Sequence, residues 1–167
     1  MGLGYAQGVA LLRIGFGLYF LSQGIDKLSK GWLESPKTLL EVYIIPNLQR
    51  GNTEAFYRPF LENVVQPNAL LFSQLVTLGE LAVGLSLVLG LFTRLGALGS
   101  AFLVLNYMLM KGLLNNAGSS DRLFLLASVV FYATSAGLVW GLDGRLHALL
   151  ATSPLTRWVA GRAPSEA

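Results

Sequence analysis

Two ionisable residues stand in the middle of long apolar segments, where a charged side chain needs a partner. Arg13 is the eleventh residue of segment 3–25, and Glu80 is the thirteenth residue of segment 68–92. A charge near the centre of a bilayer costs about 2.5–3.5 kcal/mol on insertion scales, so it usually faces an opposite charge or a cavity. In adjacent antiparallel helices both side chains lie at a similar depth, which predicts an Arg13–Glu80 ion pair. Such a pair either locks the two helices together or belongs directly to a ligand site.

Polar and small residues extend these two charges into stripes, because residues three or four apart share one face of a helix. Close packing of helices in lipid also places small and polar residues at helix contacts. Four stripes together favour a pocket that reaches from Arg13 and Glu80 towards Lys27 and Asp121. The candidate residues for this polar core or ligand site are Arg13, Gln23, Lys27, Glu80, Asn106, Asp121 and Tyr132.

Several other chemistries are excluded by residue type. The chain has no cysteine, which excludes disulfides, thiolate metal sites and iron–sulfur clusters within it. His147 is the only histidine, so the chain cannot supply both axial ligands of a b-type haem, and we interpret it as an interfacial residue. Glycine loops for nucleotides, nucleophile elbows and zinc-protease motifs are also missing. The sequence therefore predicts no metal site and no intrinsic cofactor.

The composition indicates that the elements carrying these residues lie in a membrane. Of the 167 residues, 53% are hydrophobic and 13% are charged, whereas soluble domains carry about 25% charged residues. The net charge of +3 comes without a basic cluster, so nucleic acid is not an expected partner. A lipid bilayer is the expected surrounding.

Four apolar segments are long enough to cross a bilayer as helices, which takes about 20 residues. They cover residues 3–25, 68–92, 95–114 and 123–142. Since alternating ten-residue strands are absent, helices are favoured over a closed barrel. The predicted fold is a single all-α membrane domain over residues 1–167, a polytopic bundle of four transmembrane helices.

The remaining segments are predicted to lie at the membrane surface. Loop 26–67 carries apolar residues at helical spacing between charges, which predicts two short amphipathic helices that lie on the membrane or cap the bundle. Residues 143–163 form a second interfacial segment with an amphipathic helix, and 164–167 a disordered tail. Trp32, Tyr43 and Tyr57 lie near predicted helix ends, as interface aromatics do. Lys and Arg counts slightly favour a cytoplasmic location for loop 26–67.

Three stretches resemble the DoxX-like membrane proteins. The first is Leu12-Arg13-Ile14-Gly15, followed by Phe20, Gly24 and Lys27; the second runs from Gly79-Glu80 to Thr93-Arg94; the third is 137–143, a glycine-rich end that closes on Leu-Asp. The long first loop is similar to the DoxD branch, the small-subunit type of thiosulfate:quinone oxidoreductase. The resemblance implies a four-helix bundle in the bacterial cytoplasmic (inner) membrane with cytoplasmic termini, which opposes the charge count; we follow the family.

Two functions remain open on this resemblance. One is the membrane subunit of a quinone-linked redox complex, in which Arg13 or Lys27 binds a quinone carbonyl and Glu80 or Asp121 relays protons. A different partner subunit would then supply the electrons. The alternative is a non-catalytic accessory subunit of a larger respiratory or photosynthetic assembly, in which the Arg13–Glu80 pair only holds the bundle. Whether the chain is an enzyme stays open, and Arg13, Lys27 and Glu80 are family-pattern positions without an established catalytic role.

Overall fold

The computed structural model describes residues 4–113, 120–147 and 158. Most of these residues lie in helices, and none of them lies in a strand. The elements are α1 (Tyr5–Ser29), α2 (π-helical Leu39–Ile44 continued by α-helical Ile45–Gln49), α3 (α-helical Arg58–Phe60 continued by π-helical Leu61–Val65), α4 (Ala69–Leu89), α5 (Thr93–Lys111), α6 (Asp121–Ala133), a 3-10 turn (Ala136–Leu138) and α7 (Leu142–Arg145).

Helices α1, α4 and α5 are long and apolar enough to cross a membrane. At 1.5 Å per residue, the 19 residues of α5 extend about 28 Å, close to the thickness of a hydrocarbon core. Their outer faces carry exposed leucines, including Leu11, Leu12, Leu18, Leu71, Leu78 and Leu85. The prediction of an all-helical protein with membrane-spanning helices is therefore confirmed for these three elements.

Glycines set the axial position of α1 against α4. A Cβ atom added to Gly17 would lie 2.7 Å from the backbone nitrogen of Val88, and one added to Gly84 would lie 2.6 Å from that of Leu21. The two backbones therefore touch, and only glycine fits at these contacts. In this register Arg13 lies level with the turn between α4 and α5, about three helical turns from the level of Glu80, which is ~18 Å at 1.5 Å per residue.

Helices α5 and α6 pack antiparallel along their length. The hydroxyls of Ser100 and Ser128 lie 2.6 Å apart in the middle of this contact. The Arg94 guanidinium lies 4.9 Å from the centroid of the Tyr132 ring at one end. Between the two helix pairs lies an apolar core that includes Phe16, Phe20, Leu87, Val104 and Phe131.

The chain turns back earlier than the predicted segment 123–142 implies. Helix α6 has 13 residues and ends at Ala133, which extends only about 20 Å. Ser135 and Trp140 adopt left-handed backbone conformations, with φ of 48° and 52°, and they reverse the chain around the 3-10 turn. Helix α7 covers the beginning of the predicted interfacial segment 143–163. Of this segment the structure describes residues 143–147 and Trp158. Its other residues and the predicted tail 164–167 lie outside the described residues.

The long connection between α1 and α4 folds over one end of the bundle. Two short helices, α2 and α3, lie where the sequence predicts helices. Their buried side chains form an apolar cluster with α5: Trp32, Leu39, Ile44, Leu48, Leu61, Val65 and Met110. The Thr53 hydroxyl donates to the Met110 carbonyl at 2.9 Å, and the Glu54 carboxylate accepts from the Leu113 backbone at 2.8 Å. These bonds fasten the connection to the carboxyl end of α5, so it covers the space between the helices.

Candidate functional site

A cavity of about 490 Å³ lies under this covering segment, between α1, α4, α5 and the first turn of α6. Its walls are mainly apolar and aromatic, with Phe20, Ile44, Phe60, Phe72, Val76, Val83, Leu103, Met110 and Phe124 among the lining residues. Leu75 and Phe102 line it too, and they are 54% and 67% exposed on α4 and α5. The cavity thus has the size and lining of a small-molecule site, and exposed apolar residues of two candidate spans border it.

Three helices bring one polar group each to the cavity wall. The Lys27 ammonium, in the last turn of α1, donates to Glu80 Oε2 at 2.6 Å, and the Tyr107 hydroxyl of α5 donates to Glu80 Oε1 at 2.8 Å. The side chains of Lys27 and Glu80 are only 12% and 4% exposed. Each partner compensates the buried charge of the other, and the tyrosine satisfies the second carboxylate oxygen. This Lys27–Glu80–Tyr107 cluster is the most polar part of the wall.

A second ion pair lies beside this cluster. Lys111, at the end of α5, donates to Asp121 Oδ2 at 2.8 Å, which joins α5 to α6. The Lys111 ammonium also lies 5.8 Å from the centroid of the Tyr107 ring. Among the residues that the structure describes, these two and the Lys27–Glu80 pair are the charged residues that line the cavity. Its two ammonium groups and two carboxylates balance each other.

A neutral hydrogen bond links the covering segment to the bundle inside the cavity. The Tyr57 hydroxyl, just before α3, donates to Asn106 Oδ1 on α5 at 2.5 Å, and Asn106 Nδ2 donates to the Phe102 carbonyl. Burial raises the pKa of the Tyr57 phenol, whose usual value is about 10, so it stays protonated at neutral pH. Tyr57 therefore remains a donor to Asn106 under physiological conditions.

Arg13 lies outside this site, and the predicted Arg13–Glu80 ion pair is wrong. Its fully buried guanidinium donates from Nη2 to the Trp140 carbonyl at 3.1 Å. The sequence-based prediction placed the centres of segments 3–25 and 68–92 at the same depth. In the structure, the contacts at Gly17 and Gly84 shift α1 along the axis of α4 relative to that prediction. That shift brings Lys27 to Glu80 and Arg13 to the other end of the bundle.

The opposite end of the bundle forms a separate structural contact around Asp143. Its Oδ1 accepts from the Phe92 backbone N–H at 2.7 Å, and its Oδ2 accepts from that of Thr93 at 2.9 Å. A carboxylate is favoured at the positive amino end of a helix such as α5. Asp143 and Arg13 together tie α7, the α4–α5 turn and α1.

The structure divides the residues that the sequence singled out. The cavity brings together Gln23, Lys27, Glu80, Asn106 and Asp121. Arg13 and Tyr132 lie towards the other end, where the Tyr132 ring contacts Arg94 and Trp158.

Sequence reasoning missed five residues: Tyr107, Lys111, Asp143, Trp32 and Tyr57. Tyr107 and Lys111 had a usable signal, since they lie four residues apart on the same helix face. Asp143 ends the third family-like stretch. Trp32 and Tyr57 were interpreted as interface aromatics, but Trp32 is 3% exposed and both line the cavity.

Comparison with protein families gives one match. A family model described as DoxX matches residues 8–112, well over half of the chain. No curated protein and no solved structure matches the chain. The match covers α1 to α5, including Lys27, Glu80 and Tyr107. The chain therefore belongs to the DoxX family.

Proposed function

We propose that this DoxX-family protein binds a quinone in the cavity, as the membrane subunit of a quinone-linked redox complex. The observation that carries the proposal is the apolar cavity with the Lys27–Glu80–Tyr107 cluster on its wall. A quinone is an uncharged ring with two carbonyl oxygens and an apolar tail, so it matches an apolar space with a few hydrogen-bonding groups. The exposed Leu75 and Phe102 at its border suit a ligand that enters from lipid.

The polar cluster would act on the quinone head through hydrogen bonds and protons. Lys27 donates one N–H to Glu80, and its other N–H groups can donate to a carbonyl oxygen of the quinone. These hydrogen bonds would stabilise negative charge on that oxygen. Reduction of a quinone to a quinol consumes two electrons and two protons. In this proposal Glu80 and Tyr107 pass protons to the oxygens, and a partner subunit supplies the electrons, because the chain has no cysteine and a single histidine.

The proposal includes a placement in the membrane, which the packing of α6 against α5 supports. Helix α6 runs beside α5, from the Lys111–Asp121 pair to the Arg94–Tyr132 contact. In the proposal, α6 and the turn after it complete a fourth crossing of a bacterial cytoplasmic membrane, so both termini lie on the same side, and the family resemblance assigns that side to the cytoplasm. Helices α2 and α3 then lie at the opposite surface as amphipathic interfacial helices, with exposed Val42 of α2 and exposed Phe56, two residues before α3, towards lipid.

The test is the quinone content of the purified protein. We expect about one quinone per chain after purification in mild detergent from its native membrane, measured by extraction and mass spectrometry. Glu80→Gln should lose most of it, since the Lys27 charge is then unbalanced at the cavity wall. Glu62→Gln is the matched control, because Glu62 is 40% exposed and pairs only with Arg58. Quinone-free wild-type protein, or equal content in both variants, would refute the proposal.

The alternative function is a non-catalytic accessory subunit, and one feature favours it. A shallow groove on α1 is lined by Gly8, Leu11, Leu12 and Gly15, and a Cβ atom at either glycine would meet nothing within 4 Å. Such a surface accepts a close-packed helix of another subunit. A copurifying membrane subunit that is lost in Gly15→Leu, from protein that contains no quinone, would support this function instead.

A further inference from the structure

One residue that lines the cavity carries a buried hydrogen-bond donor without a partner among the described residues. Trp32 is 3% exposed and lines the cavity, and its indole Nε1–H makes no hydrogen bond within the part of the chain that the structure describes. Leaving a buried donor unsatisfied costs about 1–3 kcal/mol, so nearly all buried polar groups in native proteins are paired. The Trp32 Nε1–H is therefore expected to have an acceptor outside the described part of the chain.

All other polar contacts of Trp32 hold the residue in place. Its backbone N–H donates to the Lys27 carbonyl at 3.1 Å, and its own carbonyl accepts from the buried Ser73 hydroxyl at 2.6 Å. The Lys27 ammonium lies over the indole at 5.1 Å from the ring centroid. The Tyr43 ring meets it edge-on at 5.7 Å. The backbone hydrogen bonds, Lys27 and Tyr43 thus hold the indole in place, while its Nε1–H makes no hydrogen bond.

We propose that Trp32 is a ligand-binding residue whose Nε1–H donates a hydrogen bond to an oxygen of the molecule in the cavity. This inference rests on the proposed function of the cavity as a ligand site. An indole N–H can only donate, so the ligand must present an acceptor such as a carbonyl oxygen. Hydrocarbon tails cannot satisfy it, which places the oxygen-bearing head of the ligand, rather than its tail, beside Trp32.

The charge balance of the wall narrows the head group further. Lys27 is paired with Glu80, and Lys111 is paired with Asp121. An anionic head such as a carboxylate or a phosphate would compete with Glu80 for Lys27 and leave a buried carboxylate without its cation. An uncharged carbonyl satisfies Trp32 without disturbing either pair. The geometry therefore selects an uncharged, carbonyl-bearing amphiphile.

The indole N–H itself provides the test. The full chain is labelled with ¹⁵N at its three tryptophan indoles and studied by proton–nitrogen NMR in detergent micelles. Trp140→Phe and Trp158→Phe assign the other two resonances. The probes are a decyl-substituted benzoquinone, the same decyl chain on a ring without carbonyls, and decanoate as the anionic amphiphile. We expect the benzoquinone alone to move the Trp32 indole proton downfield, with the other two resonances unchanged.

Affinity of the variants gives a second, independent measurement. Trp32→Phe should weaken binding of the benzoquinone by about 5- to 10-fold, the value of one lost hydrogen bond, and leave binding of the carbonyl-free ring unchanged. Trp158→Phe is the matched control, since Trp158 is exposed and contacts Arg94 and Tyr132, which do not line the cavity. If Trp32→Phe does not fold, the indole resonance of the wild-type chain decides alone.

The outcomes separate this inference from the function on which it rests. Benzoquinone that binds the wild type without moving the Trp32 resonance, and binds Trp32→Phe equally well, overturns the role of Trp32 and leaves quinone binding standing. Benzoquinone that does not bind the wild type overturns both. Decanoate that binds more tightly than the benzoquinone and moves the Trp32 resonance overturns the selection of an uncharged head.

Discussion

The Lys27 ammonium on α1 lies 2.6 Å from the Glu80 carboxylate on α4, and both side chains are almost fully buried. The contact exists because α1 runs on to Ser29, four residues past the predicted end of its span, so that Lys27 is still helical. Tyr107 completes the coordination of the carboxylate from α5. One buried carboxylate thus connects all three candidate spans next to the cavity.

The pair should behave as a coupled unit in stability measurements. Lys27→Met alone leaves Glu80 buried and unpaired, for which we expect a loss of about 3–5 kcal/mol in the free energy of unfolding. The double variant Lys27→Met with Glu80→Gln should recover a large part of that loss, as read from thermal unfolding in detergent by circular dichroism. The exposed Arg58–Glu62 pair is the control, with a coupling below about 1 kcal/mol. Equal coupling free energies for the Lys27–Glu80 and Arg58–Glu62 pairs would contradict this prediction.

Tyr107→Phe isolates the hydrogen bond to Glu80 because the ring is kept. A hydrogen bond to a charged acceptor contributes about 1.5–3 kcal/mol, so the variant should be destabilised by that amount. Tyr19→Phe is the matched control: Tyr19 lines the same cavity but is 44% exposed. Unfolding curves of the two variants that coincide would show that the phenol of Tyr107 contributes nothing to the cluster.

Two glycines with the same backbone conformation allow a test of the Arg13 contact. Gly90 and Gly51 have φ of 62° and 69°, so alanine is strained at both. A Cβ atom at Gly90 would also collide with the Arg13 guanidinium, whereas at Gly51 it meets nothing within 4 Å. Gly90→Ala should therefore be less stable than Gly51→Ala by about 1–3 kcal/mol.

The same variants check that the Arg13 end is separate from the cavity. The quinone content of folded Gly90→Ala protein should equal that of the wild type, because the substitution acts at the opposite end of the bundle from Glu80. Loss of quinone from folded Gly90→Ala, with Gly51→Ala unaffected, would assign Arg13 to the ligand site after all.

Tyr57→Phe should loosen the segment that covers the cavity. The variant removes the hydrogen bond to Asn106 but keeps the ring contact with Phe60, so we expect faster amide hydrogen exchange across α2 and α3 with little change in α4. Amide exchange of the variant followed by mass spectrometry is the measurement. Exchange that rises equally in α4 would point to global destabilisation instead.

The pH dependence of this hydrogen bond has a defined direction. Burial raises the pKa of Tyr57, so the stability gained from its protonated form is fully present below the unfolded value of about 10 and is lost as the pH rises through the higher folded value. The difference in amide exchange of α2 and α3 between the wild type and Tyr57→Phe should therefore shrink as the pH rises above about 10. A difference that stays constant across this pH range would contradict the assignment.

The membership of the polar core could be anticipated in part, but the pairing of its residues could not. Lys27, Glu80, Asn106 and Asp121 stand out because polar residues are rare in apolar segments, and all four line the cavity. Their partners could not be read in the same way. The partner of Glu80 depends on how far α1 slides along α4, and that shift is fixed where backbone meets backbone at Gly17 and Gly84.

The aromatic residues of the first loop show the same limit. A tryptophan near the end of an apolar helix is usually an interface anchor. Trp32 is buried instead, because the chain turns at Gly31, which has φ of 71°, and residues up to Val65 fold over the cavity. The helical spacing in this loop was sufficient to predict α2 and α3, but not the surface against which they pack.

The sequence by itself determined a helical membrane protein, because hydropathy adds up over about 20 neighbouring residues and needs no knowledge of the rest of the chain. It also determined which charged side chains have a high free-energy cost inside a bilayer. Tertiary structure alone decided that Lys27 rather than Arg13 pairs with Glu80, that α6 ends at Ala133, and that Trp32 faces a cavity. Each of these depends on close contacts between residues far apart in the chain, where a shift of one helical turn exchanges one partner for another.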